Sequence, residues 1–208
     1  VAAKLGLTPK FVETSFDGVV PGIQGRRYDL AVFGVLDKKS RHSMVNLVDD
    51  INTSTSIVVR QEDASGIASI DDLCGKRAGA GNGTAQVTDL QEASKRCVAA
   101  NRPPVQLQVY SSVPDMFLAL TSNRTDAALN GTPPSVYRVD RTPGLAIAGK
   151  PYRPQPYGIV VSKDRPDLAA SVHKAMQALL DEGTYLRLVR RWNLESGALT
   201  SIGVNTGK

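Results

Sequence analysis

Short runs of β-branched and apolar residues alternate along the chain with segments whose apolar positions recur at helical spacing. This alternation predicts an α/β fold with a largely parallel sheet. Val1 to Leu7 reads as the last turns of a helix that ends at Gly6 and begins before Val1. A short strand is expected around Lys10 to Glu13. It is followed by a helix in which Phe16, Val19, Val20 and Ile23 share a face and Ser15 stands at the cap. Tyr28 to Gly34 reads as a strand, Asp37 to Ser43 as a short helix opening onto a loop, and Thr55 to Arg60 as a strand. In that last strand Ile57, Val58 and Val59 suit burial on both faces.

Further elements follow a polar, Gly-containing stretch from Gln61 to Gly66. Ser69 and Asp72 have capping-box spacing before Leu73, a strand is expected near Lys76 to Ala80, and a longer helix from about Ala85 to Ala99. Val105, Leu107 and Val109 alternate as a strand, Pro114 to Leu120 is helical, and Thr125 to Asn130 is again a strand. Thr132 followed by two prolines marks a helix start. Tyr157 to Ser162 closes the strands. The helix from Pro166 carries the stripe Val172, Ala175, Met176, Leu179 and Leu180, which is core packing, and Gly183 breaks it from a last helix ending near Trp192.

With 208 residues the chain holds one large domain or two small ones, either able to bury a core. The formal charge of +5 is scattered from Lys4 to Lys208, with no basic stripe interleaved with aromatics, so no nucleic-acid partner is expected. No apolar run approaches the ~18 residues needed to span a bilayer. Two cysteines, Cys74 and Cys97, flank a predicted strand and helix, and Cys97 shares a helix face with Val87, Leu90 and Ser94. Two sulfurs with His42 and His173 far away are too few for a structural zinc site, so no metal is expected. A disulfide fits, and with it a compartment outside the reducing cytosol; two buried free thiols are the alternative.

The cluster Gly79-Ala-Gly-Asn-Gly83 raises phosphate binding. Thr84 replaces the third glycine of the dinucleotide pattern, and no Gly-Lys-Ser/Thr follows, so no nucleotide or other cofactor is expected. No Gly-x-Ser-x-Gly elbow or His-Glu-x-x-His motif is present, and the Ser171-x-x-Lys174 spacing lies on an amphipathic helix without supporting motifs.

Segments in one order through the chain carry a family resemblance: Thr14-Ser-Phe-Asp-Gly-Val-Val-Pro-Gly-Ile-Gln24, Tyr28-Asp-Leu-Ala31, the Gly34 to Arg41 turn, Asp71-Asp-Leu-Cys-Gly-Lys76, Gly83-Thr84, Arg124-Thr-Asp-Ala127, Tyr157-Gly158 and Glu182-Gly-Thr-Tyr185. With these the sequence resembles the type II, polar-amino-acid class of extracytoplasmic solute-binding proteins of ABC importers. The resemblance implies a two-lobed clamshell joined by two crossing strands, near Asn52 to Ile57 and Arg153 to Tyr157, closing on ligand by hinge motion. It implies lobe 1 from residues 1–55 and 156–208, with its first strand missing, and lobe 2 from 56–155.

The same resemblance implies the ligand contacts. Arg41 would grip a ligand carboxylate, a guanidinium fork matching it bidentately. Gly34 and Val35 would offer backbone groups, and Thr84 with the N–H of Ala85, after Gly81 and Asn82, would meet the same carboxylate at a helix start. Phe16 would form an aromatic wall, although its spacing fits ordinary core equally. Asn130, Gly131, Gln155 and Tyr157 complete the implied set.

Three positions depart from the family. Gly131 stands where relatives that bind α-amino acids have an acid for the ligand ammonium; Leu36 replaces a hydroxyl residue and Phe33 a small one. An ammonium buried without a counter-charge loses several kcal/mol. The expectation is therefore a carboxylate-bearing ligand, whether an amino acid held by unusual contacts, an opine-like conjugate or another small carboxylate. The implied protein is a monomeric receptor, periplasmic or a cell-surface lipoprotein, that partners importer membrane subunits and is not an enzyme. A cyclohexadienyl-dehydratase-like enzyme and a ligand-sensing domain on the same fold are the alternatives.

Overall fold

A computed structural model describes residues 1–192 and 194–208. Residues Val1–Thr14, Gly18–Thr53 and Gln155–Lys208 form one compact unit; Ser15–Asp17 with Ser54–Pro154 forms a second.

In the first unit a 3-10 turn at Ala2–Leu5 ends on Gly6, whose left-handed backbone (φ 70°) needs the missing Cβ. The strand expected at Lys10 to Glu13 is absent. Among the described residues this segment has no strand partner, and a strand exists only by pairing; Phe11 is left 91% exposed. Phe16–Gly18 is a 3-10 turn leading into α1 (Val19–Gln24), which Gly18 precedes without a side-chain cap, so Ser15 does not cap this helix. Val19 and Ile23 supply its buried face. Strand β1 (Leu30–Leu36) pairs antiparallel with the end of β6 (Leu145–Ser162), with a register shift between Ala31 and Val35. The Asp37 to Ser43 stretch contains a 3-10 turn at Lys39–Arg41. Helices α5 (Pro166–Asp181) and α6 (Thr184–Arg191) close a core in which Val172, Met176, Tyr185 and Val189 pack with Val48, Ile159 and Val161.

In the second unit the strand order is β2 (Val45–Arg60), β5 (Ala127–Gly131), β3 (Arg77–Gly81), β4 (Gln106–Tyr110). Strand β3 runs parallel to both neighbours, while β2 and β5 are antiparallel, so the sheet is mixed rather than largely parallel. Ile57 and Val59 face one core with Leu90, Cys97 and Leu129; Val58 faces another with Met116, Phe117 and Leu120. Burial on both faces is what the uninterrupted apolar run encodes. Helix α2 (Ala85–Ala99) lies over the first face and α3 (Val113–Thr121) over the second, and α4 (Thr132–Arg141) starts at the double proline. The Ser69/Asp72 capping box is formed. Cys74 and Cys97 are joined in a disulfide, with Cα atoms 5.6 Å apart.

Strands β2 and β6 are far longer than their apolar ends, and each runs from one unit into the other. Among the described residues no helix is long and apolar enough to cross a membrane.

Candidate functional site

The residues implied as ligand contacts fall into two groups, one per unit. In the first unit, Phe33, Gly34, Val35 and Leu36 end β1, and the ladder sets Val35 against Gly158 and Leu36 against Tyr157 of β6. Gly34 has φ 64°, the left-handed backbone that glycine adopts without strain, and the Tyr157 ring packs over it. Val35 and Leu36 are buried, whereas Phe33 remains 42% exposed.

Arg41 follows in the Lys39–Arg41 turn, and its Nη1 donates to the Leu36 carbonyl at 2.8 Å. Burial lowers its pKa, and the nearby Asp37 carboxylate opposes the shift. A guanidinium stays charged under such a shift, so the turn presents a partly desolvated cation, the state in which a carboxylate partner is held most strongly. Tyr157 is packed in; burial raises its phenol pKa, a hydrogen bond with Thr53 opposes this, and Asp50 adds to it. Gln155 donates Nε2 to the Lys208 carbonyl at 3.4 Å, and its buried Oε1 has no donor.

In the second unit, Gly81, Asn82, Thr84 and Ala85 form the turn from β3 into α2. Thr84 is the N-cap by position, yet its hydroxyl donates back to the Gly81 carbonyl at 2.7 Å and makes no cap bond. Thr84 thus gives α2 no side-chain cap and the first turn holds no acid, so the unpaired N–H groups and the helix dipole favour an anion there. Gly83 (φ 71°) completes the turn, and a Cβ on it would stand 3.3 Å from Asp17 and 3.9 Å from Phe16. Asn82 donates Nδ2 to Asp17 at 2.7 Å and its N–H to the Tyr110 carbonyl at 2.8 Å. Phe16 is half-buried and groups with this unit, not with the α1 core.

Asn130 and Gly131 end β5 opposite Ser56 and Thr55. Asn130 Oδ1 accepts the Gly131 N–H at 2.9 Å, and its buried Nδ2 has no acceptor. Gly131 offers no carboxylate.

Sequence reasoning missed several groups that the structure places at these elements. Asp17, beside the Gly83 turn, is an acid close to the α2 start. Gln86, buried in the first turn of α2, donates to Thr55 Oγ1 at 3.1 Å and so ties the helix start to β2. Asp89, one turn on, is buried and paired with Arg153 at 2.6 Å and with the Tyr152 hydroxyl at 3.4 Å. A polar residue at a buried helix position was the available signal, but only Gln86 and Asp89 interrupt an otherwise amphipathic pattern.

The chain is similar to known proteins over most of its length. Over 207 residues the chain is 24% identical to the arginine-binding protein ArgT of Corynebacterium glutamicum, a match covering 99% of this chain and 67% of that protein. It is 25% identical over 194 residues to the L-cystine-binding protein TcyJ of Escherichia coli K12, covering 92% and 70%. Among solved structures, an ancestral arginine-binding protein bound to glutamine matches with a TM-score of 0.83 and 27% identity, over 93% of this chain and 84% of that one. These relatives are binding proteins, and the chain shares the α/β fold of this type II class. A family model for the bacterial extracellular solute-binding proteins, family 3, matches residues 1–195. The chain belongs to that family.

Proposed function

We propose that the protein is an extracytoplasmic receptor that captures a small carboxylate-bearing polar solute, an amino acid or a derivative of one, and delivers it to the membrane subunits of an ABC importer. The two compact units act as the two lobes, and the receptor works as a monomer without catalysis. Each unit offers a provision for a carboxylate, Arg41 in the first and the start of α2 in the second, and each offers aromatic surface to ligand, Phe33 and Tyr157 in the first and Phe16 in the second. The observation that carries this reading is the paired electrostatic provision: a partly desolvated guanidinium in the Lys39–Arg41 turn, and a helix N-terminus whose Thr84 hydroxyl is turned away from capping. The relatives named for arginine and cystine support an amino-acid ligand.

Gly131 bears on which amino acid derivative is bound. An α-ammonium would find no carboxylate at the end of β5, so it must be met by another acid, with Asp17 the candidate beside the α2 turn, or be masked as in an opine-like conjugate. A thermal-shift panel of L-arginine, L-cystine, L-glutamine, opine-like conjugates and simple carboxylates tests this, since a ligand that binds only the folded protein raises its melting temperature. Arg41→Ala is expected to abolish the shift given by any member of the panel. An undiminished shift in that variant would remove Arg41 from the site.

A further inference from the structure

The last residues of the chain follow a course that ends on the turn bearing Arg41. Asp49 N donates to the Gly203 carbonyl at 2.9 Å, Val204 bridges Val48, and Asn205 exchanges bonds with Leu47 through its N–H and its Oδ1, each at 2.9 Å. The segment then leaves β2. Thr206 Oγ1 donates to Asp49 Oδ2 at 2.5 Å, Gly207 N donates to Asp37 Oδ2 at 2.9 Å, and Lys39 N donates to the Lys208 carbonyl at 3.3 Å. Asp37 is fully buried directly after β1, and its other oxygen meets the His42 ring. Arg41 therefore lies between two anchored neighbours, Lys39 held through its backbone and His42 held through Asp37. Gly207 has no room for a side chain: a Cβ would fall 1.7 Å from the Asp37 carbonyl oxygen.

We propose that Gly203–Lys208 is a strap that sets the position of Arg41, with Asp37 as the positioning residue through which it acts, so that ligand affinity depends on a segment that need not touch ligand. This rests on the reading that Arg41 grips the ligand carboxylate.

Hydrogen exchange of the amides in 39–44 reads the strap without any ligand, and calorimetric titration with L-arginine as probe reads its consequence. Gly207→Ala is expected to speed exchange of these amides about tenfold and to weaken L-arginine by a similar factor. Wild-type exchange in Gly207→Ala would overturn the strap. If exchange rises while L-arginine titrates unchanged, or gives no heat with either protein, the strap stands and the preceding reading of Arg41 as the grip on this ligand fails.

Discussion

Reducing the Cys74–Cys97 bond tests the energetics of the second unit most directly. The two sulfurs are separated by 23 positions, and closing a loop of that length removes roughly 12 cal/mol/K of entropy from the unfolded chain, about 3 kcal/mol at room temperature. Cys97 is only 2% exposed among Leu90 and Ala93, so the bond is held inside the core and ties the C-terminal half of α2 to the turn before β3. With a urea slope of about 2 kcal/mol/M, that loss moves the midpoint down by roughly 1.5 M. The assay is equilibrium urea unfolding followed by circular dichroism with and without a phosphine reductant, with the Cys74→Ala/Cys97→Ala variant as a control insensitive to reductant. Hydrogen exchange locates the loss, which is expected in α2 and β3 and not in α5 or α6. Coincident curves for the oxidised and reduced protein would refute the reasoning, because the crosslink would then be restraining a chain that is already compact when unfolded.

Two further outcomes follow from buried geometry. Asp50 has a buried oxygen without a donor, and burial, with Asp49 adding, pushes its pKa up to about 7; backbone hydrogen bonds oppose the shift. Its neutral form is the favoured one, so its contribution is intact below about pH 4 and lost as pH climbs through about 7, and Asp50→Asn is expected to stabilise by about 2 kcal/mol at pH 8 and little at pH 4, read from denaturation midpoints. Gly149 has φ 61° and a Cβ there would stand 2.0 Å from the Ala68 carbonyl oxygen, so Gly149→Ala is expected to cost about 3 kcal/mol and to lower the melting temperature by several degrees; an unchanged melting curve would mean that the loop ending at Ala68 shifts freely.

The sequence was most legible where burial is on one face or both. The Val87, Leu90, Cys97 face of α2, the capping box at Ser69 and the run Ile57 to Val59 each force one solution, and all three are present as read. Strand lengths were not legible. β2 extends through Asn52, Thr53 and Ser54, and β6 through Lys150, Pro151, Pro154 and Pro156; polar residues and prolines carry no strand signal, and only pairing partners distant in sequence make these segments extended. Lys10 to Glu13 fails for the converse reason, β-like residues without a partner. At the candidate site, residue types such as Arg41 and Thr84 could be nominated through family likeness, but the direction of the Thr84 hydroxyl and the grip of Gly207 on Asp37 depend on atoms far apart in the chain. No local pattern encodes them.

The division of the chain has a consequence for the order of folding. Apart from Ser15–Asp17, the second unit is one unbroken stretch, whereas the first is assembled from separate pieces that include Gln155–Lys208. The inserted unit can therefore gather its core from neighbouring chain, while the core around Val48 closes only once α5 and α6, more than a hundred residues further along, have docked on it.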